Sequence, residues 1–397
     1  MPKVNPNILK WARETAGLSL QEAVDKIGLN GARGVSAVDR LINYELGDDE
    51  PSRPLLLRMA KRYHRPLLTF YMPYIPLKGD RGIDFRTLPE EYTEFDNANL
   101  DVLIRDVEAR QSIVRALIED EDEVEPLFFV GSSDIEDGID SLISSIYEII
   151  NITKDDYRLE RNQREAFKLL RRKVEEAGVY VLLISNLGSY HTTMDVGLFR
   201  GYSIADDLAP FIIINDQDAK SAWSFSLLHE LVHICLGQTG ISNDIAYTQI
   251  EKFCNDVAGK FLLSDEELDV LSINDSSDFE ESLEMISDFS SEINISSTMV
   301  SYRLYRKGAI SYKYWDHLRI KFRELWIEKK KSRQKYSRDQ DGSPSYYVLQ
   351  KHRTGSALIT SINNWMNAGL ITTTKAGKVL GVKPKNVQKL IESVIYS

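Results

Sequence analysis

The sequence is poor in cysteine and lacks long apolar runs. Its two cysteines, Cys235 and Cys254, lie in apolar segments of a 397-residue chain, which suits a reducing compartment better than a disulfide framework. Apolar stretches such as 210–214 have the length of a strand, and none approaches the roughly 18 residues of a membrane span. Residues 1–7 contain no apolar segment of the signal-peptide kind. We therefore expect a soluble cytoplasmic protein with no membrane partner.

Several catalytic signatures are also missing. The chain has no Gly-rich phosphate loop and no Gly-x-Ser-x-Gly elbow, and it has no Cys/His cluster apart from the histidine pair described below. These absences argue against nucleotide hydrolysis and against serine chemistry.

Charge is distributed unevenly along the chain. Residues 1–75 hold 11 Lys and Arg against 8 Asp and Glu, and residues 329–397 hold 13 against 3. The segment between them holds 25 against 49 and is strongly acidic. Basic ends on an acidic body are typical of a chain that binds a polyanion through its ends, although solvated basic faces are an equally good interpretation.

Helical periodicity marks the first segment. Apolar residues at helical spacing end at Gly17, a capping box follows at Ser19 and Glu22, and a second apolar stripe ends at Gly28. A third helix is expected from about residue 36 and a fourth from about residue 54. The segment is therefore predicted to be a bundle of short helices.

The middle of the chain is predicted to surround two strands with helices. Helical stripes precede Gly178, and residues 179–184 and 211–214 are rich in β-formers, which predicts two neighbouring strands. Helices are expected from about 219 to 331. A polar break at 337–344 then precedes a last compact piece.

The sharpest motif is His229-Glu230-Leu231-Val232-His233. Two histidines four residues apart share one face of a helix, so that both imidazoles can bind one tetrahedral zinc ion. The surrounding segment is apolar enough to be buried, where unpaired polar groups are costly. A chain of this composition contains roughly 0.007 matches to the motif by chance. We therefore predict a metal site, against the alternative of two hydrogen-bonded core histidines.

Glu230 and Glu251 complete the predicted site. In this motif Glu230 does not bind the metal; it takes a proton from zinc-bound water and passes it to a leaving amine. A second amphipathic helix follows at about 250–262, and Glu251 in its first turn is the predicted third ligand. Cys254 is predicted to be a small core residue, and Asp256 to point away from the site.

The other histidines have weaker assignments. His64, His317 and His352 lie far from the motif in sequence and are expected to be structural. His191 follows the first predicted strand and is a predicted oxyanion donor in the cleft.

These segments resemble the ImmA/IrrE family of zinc metallopeptidases, over about residues 160–315. The likeness rests on residues 198–202, 209–215, 225–231, 237–242 and 251–255, and the sequence departs from the family at 254–258 and 262–265. The resemblance implies a zincin-like fold and the roles given above to the two histidines and two glutamates. Manganese is the alternative to zinc. The departures change packing near the third ligand and remove no catalytic group.

The first 75 residues resemble an Xre-type helix-turn-helix. The likeness rests on residues 18–23, 44–47, 51 and 57–63. It implies a double-stranded DNA operator as partner and a homodimer on a palindromic site. Because the recognition helix of such a unit places its first turn in the major groove, the predicted DNA contacts are Arg33, Ser36, Arg40 and Asn43. The turn at 29–35 is longer than the family's, and the alternative is a module for dimerisation or partner docking.

The C-terminal tail is predicted to hold a pair of helices. Residues 370–376 and 379–387 predict a capped helix, a Gly turn and a second helix, and the pair resembles tails of other long, Xre-fused members of the family. Together with the basic run at 329–335, the tail is suited to bind phosphate, and a solvated basic helix is an equal alternative.

The predicted fold class is α+β and mostly helical: a helix-turn-helix bundle, then a zincin-like metallopeptidase domain and a small helical C-terminal tail. The predicted domains are a helix-turn-helix at 1–76, a helical connector at 77–155, the peptidase domain at 156–315, a basic helical linker at 316–338 and a small basic helical region at 343–397.

Two functions follow from these resemblances. The first is a regulatory zinc endopeptidase that cleaves a specific cytoplasmic protein, such as a repressor or a component of a toxin–antitoxin or phage-defence system. The alternative is an antitoxin-like transcription regulator that represses its operon and neutralises a partner toxin, with the zinc domain as sensor or scaffold. The intact Glu230 favours the enzyme, because a structural zinc needs no base. The helix-turn-helix and the basic tail favour the regulator, and a protein that cleaves itself or a second copy is a third alternative.

Overall fold

The computed structural model describes residues 3–32, 34–76, 94–121, 124–242, 249–338 and 345–395. The chain forms two compact units. The first comprises Met1–Arg81, Thr87–Val107 and Asn186–Met194, and the second comprises Gly82–Arg86, Glu108–Ser185 and Asp195–Ser397. Helices dominate the described residues and the sheet is small, which confirms the α+β, mostly helical class. None of the described helices combines the length and the hydropathy needed to cross a membrane.

The first unit begins with four short helices around a core of their own. They are α1 (Pro6–Glu14), α2 (Leu20–Ile27), α3 (Ala37–Leu46) and α4 (Arg53–Arg62), followed by a 3-10 helix, Leu67–Tyr71. The predicted capping box is present, since the Ser19 hydroxyl and the Glu22 carboxylate each accept a hydrogen bond from the other residue's amide. A buried ion pair of 2.7 Å joins Arg13 of α1 to Glu45 of α3. The predicted helices of this segment are therefore confirmed.

The connection between α2 and α3 is long, as predicted. It begins at Gly28, in the left-handed region with φ of +62°, and ends at Ser36, which caps α3. Ala32 and Val35 exchange backbone hydrogen bonds within it. Arg33, a predicted DNA contact, lies outside the described residues.

Helices also occupy most of the described chain before the sheet. They are α5 (Glu94–Glu119), α6 (Ile139–Ile150), α7 (Lys154–Arg158) and α8 (Gln163–Glu176). The helix predicted to end at Gly178 is α8, and the chain turns at that glycine with φ of +98°. The described part of the predicted helical connector is mainly helical.

The second unit contains a four-stranded sheet in the order β1–β3–β2–β4. Its strands are β1 (Tyr180–Leu183), β2 (Gly201–Ile204), β3 (Phe211–Ile214) and β4 (Gly240–Ser242). The two predicted strands, β1 and β3, are parallel neighbours with Val181 opposite Ile212, whereas β2 is antiparallel to both β3 and β4. Only helices were predicted between about 219 and 331, and this prediction is wrong at 240–242, which form β4. Both unpredicted strands are only three or four residues long and begin with glycine, which is depleted in strands.

The helices after β3 share one apolar core with β1, β3 and α8. They are α9 (Trp223–Cys235), α10 (Gln249–Leu262), α11 (Asp265–Leu268), α12 (Phe279–Glu292), α13 (Ser297–Lys307) and α14 (Tyr312–Arg338). The predicted boundary between residues 315 and 316 falls inside α14. Leu318 and Phe322 of this helix belong to the same core, so the start of the predicted linker is packed into the second unit.

The last described helices complete the second unit. They are α15 (Tyr346–Thr354), α16 (Ser356–Asn367), α17 (Thr373–Val379) and α18 (Pro384–Ile395), and α17 with α18 is the predicted tail pair. Helix α15 packs along β1. The buried Arg171 of α8 donates to the His352 carbonyl and pairs at 3.0 Å with Glu175, whose carboxylate accepts from the Ala357 amide. The tail is therefore anchored to the sheet.

Candidate metal centre

Helix α9 carries the motif through the core of the second unit. Every residue of α9 except Phe225 is buried, because the helix packs against α8, α10, β2 and β3. No water-exposed face is left to solvate His229, Glu230 or His233. Polar groups at such depth are expected to be paired or to bind a ligand.

His229 and His233 of α9 meet Glu251 of α10 in a compact group of three donors. The Nε2 atoms of the histidines are 3.1 Å apart, and the Glu251 carboxylate oxygens lie 3.3 Å from His229 Nε2 and 3.1 Å from His233 Nε2. Ligands at about 2.0–2.1 Å from a tetrahedral zinc ion lie about 3.3 Å from one another. All three distances are close to that edge length, and each imidazole faces a different oxygen of the Glu251 carboxylate, so the group could hold one metal ion. Within the described part of the chain, no other such group occurs.

The charge state of Glu251 suits a metal ligand. Burial by itself raises the pKa of this carboxyl, but hydrogen bonds with His229 and His233 outweigh it and hold the pKa well below its usual range. The side chain is 2% exposed, so an ionised carboxylate faces two imidazoles in a site of low dielectric constant. A divalent cation between them would meet one full negative charge and two nitrogen donors.

Glu230 lies next to the donor group on α9 and is 1% exposed. Its side chain packs against Gly201 of β2, where a Cβ would be 2.0 Å from Glu230 Oε1. Glycine is therefore the residue that leaves room for the carboxylate. This role of Gly201 could not be predicted from the sequence, because it depends on the position of β2. The one signal in the sequence is that Gly201 lies in the family-like segment 198–202.

Cys254 lies on the far side of His233 from the donor group. Its Sγ is 3.8 Å from His233 Nδ1, whereas Nε2 faces Glu251. Burial raises the pKa of the Cys254 thiol well above its usual value, which keeps it protonated and unsuited to bind a metal. Asp256 points elsewhere and pairs with Arg306. Both positions agree with the predicted roles outside the ligand set.

His191 belongs to the first compact unit, in the 3-10 helix Tyr190–Thr192, and its side chain is exposed. Its role as an oxyanion donor stays a prediction. His352 contacts the ring of Trp223, with ring centroids 5.6 Å apart, and burial lowers its pKa to about 4. This packing agrees with a structural role for His352.

The other predicted DNA contacts lie at and within α3. The Ser36 hydroxyl caps the helix by accepting a hydrogen bond from the Asp39 amide, and it donates to the Asp39 carboxylate at 2.6 Å. Arg40 donates to a main-chain carbonyl before α3 at 2.6 Å and to the Tyr44 hydroxyl at 2.9 Å. Asn43 is half-buried. Ser36 and Arg40 therefore already have partners within the chain, and DNA contact by all four residues stays a prediction.

Comparison with known proteins agrees with the geometry of the metal centre. Residues 175–305 match the family model of the M78 peptidases, described as the IrrE N-terminal-like domain. Neither the curated proteins nor the solved structures yielded a match to the chain. The matched segment begins in α8, includes α9 and α10, and ends in α13. The likeness of the first 75 residues to an Xre unit lies outside it. Residues 175–305 are therefore similar to the ImmA/IrrE-type metallopeptidases, as the sequence predicted.

Proposed function

We propose that this protein is a zinc-dependent endopeptidase. The observation that carries the proposal is the tetrahedral spacing of His229, His233 and Glu251 inside a segment similar to the M78 peptidases. Two imidazoles and one carboxylate are a frequent ligand set of catalytic zinc, which keeps a fourth position open for water or substrate. Manganese is the second candidate, because it also binds carboxylate oxygen.

The chain's own residues divide the work of peptide hydrolysis. A zinc ion bound by the three donors would supply a Lewis acid that polarises the scissile carbonyl. Glu230 accepts a proton from the attacking water and donates it to the amine nitrogen as the C–N bond breaks. Gly201 leaves room for the Glu230 carboxylate, and the contact between Cys254 and Nδ1 helps to orient the ring of His233.

We further propose that the substrate is one specific cytoplasmic protein, such as a repressor or a toxin–antitoxin or phage-defence component. The N-terminal helices α1 to α4 have a core of their own. These helices and helices α15 to α18 lie outside the matched segment, and such additional segments are suited to select a partner. The resemblance to the ImmA/IrrE family supplies the class of substrate.

DNA binding by the N-terminal helices belongs to the same proposal. Helices α2 and α3 pack against each other and are supported by α1 and α4, which is the order of a helix-turn-helix that places α3 in the major groove of an operator. Arg33 and Asn43 are the first residues to test, because Ser36 and Arg40 have partners within the chain. A palindromic operator would bind two copies.

The decisive experiment compares the wild-type chain with Glu230→Gln, which keeps the size of the side chain and removes the proton acceptor. Both zinc-loaded proteins are incubated with an extract of the cells that encode them, and new protein N-termini are identified by mass spectrometry. We expect a small set of new N-termini that disappears with Glu230→Gln, while zinc content is equal. Equal sets with both proteins, or none with either, would contradict the peptidase. If the Glu230→Gln variant then repressed the chain's own operon as strongly as the wild type does, the transcription regulator would be favoured.

A further inference from the structure

Helices α17 and α18 form a tight pair with a short turn. The first ends at Val379, the second begins at Pro384, and the turn contains Gly381 with φ of +68°. The two helices approach closely at Gly377, where a Cβ would be 2.8 Å from the Val382 carbonyl oxygen. Two helices joined by a turn of three to four residues that contains glycine have the arrangement of a helix-turn-helix.

The buried side of the pair leaves one face of α18 exposed. The buried apolar residues of the pair are Ala376, Val379, Leu380, Val382, Val387, Leu390 and Ile391. Helix α18 also packs against α15 and α16. Lys385, Gln388, Lys389 and Glu392 are exposed, and their spacing places them on one face of the helix. The pair therefore presents a polar helix face from a rigid support.

The exposed surface of the pair is basic. Five lysines are exposed on the two helices and their turn, and no ion pair of the described residues involves them: Lys375, Lys378, Lys383, Lys385 and Lys389. Glu392 is the single acidic residue in 345–395 of a chain whose net charge is −11. A local excess of positive charge on an acidic protein is complementary to the phosphates of duplex DNA, because each neutralised phosphate releases a counterion.

Helix α3 compares poorly with α18 as a DNA-binding helix. The Ser36 and Arg40 side chains are engaged within the first unit. Four acidic residues on or just after α3 are exposed and would repel phosphate: Asp39, Asp48, Asp49 and Glu50. The face of α18 instead holds two lysines around Gln388. The Gln388 amide donates to the Glu392 carboxylate at 3.3 Å within the same exposed face, and an amide side chain can both donate to and accept from base edges.

We propose that α17 and α18 are a DNA-binding helix-turn-helix in which α18 enters the major groove. In this arrangement Lys383, Lys385 and Lys389 contact phosphates and Gln388 faces the bases. The inference rests on the C-terminal pair and does not depend on whether the chain cleaves proteins.

The test uses the full chain and a labelled DNA duplex of mixed sequence, with binding followed by fluorescence anisotropy over a range of salt concentrations. Lys385→Gln/Lys389→Gln removes two charges from α18. The matched control, Lys168→Gln/Lys313→Gln, removes two charges from exposed positions on α8 and α14. Loss of two phosphate contacts should make the plot of log binding constant against log salt concentration shallower by about 1.8. When salt rises from about 50 to about 200 mM, the fall in affinity should therefore be roughly twelve-fold smaller for the variant than for the wild type. The control should keep the wild-type slope.

Three results of the DNA-binding measurements would overturn the proposal. They are no binding of the wild type at low salt, equal effects of the two double variants, and loss of binding with Arg33→Gln/Asn43→Ala while Lys385→Gln/Lys389→Gln binds normally. Preference for double-stranded RNA over DNA would also overturn it. Thermal midpoints verify that each variant is folded. Gln388→Ala is a milder second variant: it should bind mixed-sequence DNA normally and lose the preference for a sequence selected with the wild type, and an unchanged preference would contradict the placement of α18 in the groove.

Discussion

The carboxylate of Glu230 occupies the space that a side chain at position 201 would need. Glu230 Oε1 lies 2.0 Å, and Cδ 2.6 Å, from the place of a Cβ at Gly201. Gly201 is also paired on both sides, opposite Ile214 of β3 and Ser242 of β4. The strand cannot move away without disturbing two ladders. A backbone position in β2, as well as α9 itself, therefore determines where the proposed base can lie.

Gly201→Ala should displace Glu230 and leave the metal site intact. The new methyl group must push the carboxylate aside, because the paired strand resists movement. We expect peptidase activity to fall by roughly 10²–10⁴, the usual contribution of a general base, with zinc content near one ion per chain. The rate with a substrate identified by the N-terminal analysis and elemental analysis of the same sample measure both quantities.

Ser203→Ala, in the same strand, is the control for Gly201→Ala. The Ser203 hydroxyl donates to the main-chain carbonyl of Gln238 at 3.4 Å, and the change to alanine makes this side chain smaller. It should retain most of the activity. If Gly201→Ala were as active as Ser203→Ala, β2 would not position the base.

Removal of any one of the three donors should release the metal. His229→Ala, His233→Ala and Glu251→Gln each leave two donors, which are too few for tight binding. Cys254→Ala should keep the metal, because the Cys254 Sγ contacts Nδ1 of His233 rather than the site.

Chelation of the metal should also lower the free energy of unfolding of the wild type. The expected loss is about 2.7 kcal/mol if the free zinc concentration had been 100 times the Kd of the site. Elemental analysis and thermal unfolding with and without chelator check both statements, and metal retained by the histidine variants would refute the ligand assignment.

The anchor of the C-terminal helices can be tested at Glu175. Burial lowers the pKa of Arg171 and raises that of Glu175, and their ion pair is shielded from water. Glu175→Gln would leave the Arg171 guanidinium without its counter-charge, at a cost of about 3–5 kcal/mol. Glu176→Gln is the matched control, because the Glu176 side chain is 52% exposed where it pairs with Arg172 and Lys173 and exposed pairs contribute about 0–1 kcal/mol each. Urea unfolding measures both free energies, and equal values would mean that the buried pair does not stabilise the unit.

Features that depend on neighbouring residues in sequence could be predicted from the sequence. The capping box of Ser19 and Glu22 acts within one helical turn, and two histidines four residues apart share a helix face wherever that helix is placed. The assignment of Glu251 required α10 to cross α9, which the amphipathic pattern and the family likeness together indicated. The structure brings Glu251 to the two histidines, and metal binding by the three residues stays a prediction.

Features that depend on tertiary pairing could not be predicted. Strand β2, Gly-Tyr-Ser-Ile, is only four residues long and begins with glycine, so that its pattern is too short to predict a strand, and it pairs with β3 and β4 on either side. The contact of Gly201 with Glu230 follows from that pairing. The packing of α15 on β1 likewise joins segments far apart in the chain. The composition of the tail shows only that it is basic. Its place in the second compact unit follows from this packing.

His352 should make the stability of the second unit depend on pH. Burial lowers its pKa from 6.5 to about 4, with the nearby Arg171 charge acting in the same direction. Between these values the unfolded chain binds a proton at this residue and the folded chain does not, so stability is lost as the pH falls from about 6.5 to about 4. Replacing His352 with Gln removes that proton uptake. Urea unfolding of metal-free wild type and His352→Gln over this range should show the smaller decline in the variant, while the same change at the exposed His317 should follow the wild type. Parallel curves for wild type and His352→Gln would show that the imidazole against Trp223 takes up its proton as readily as in the unfolded chain.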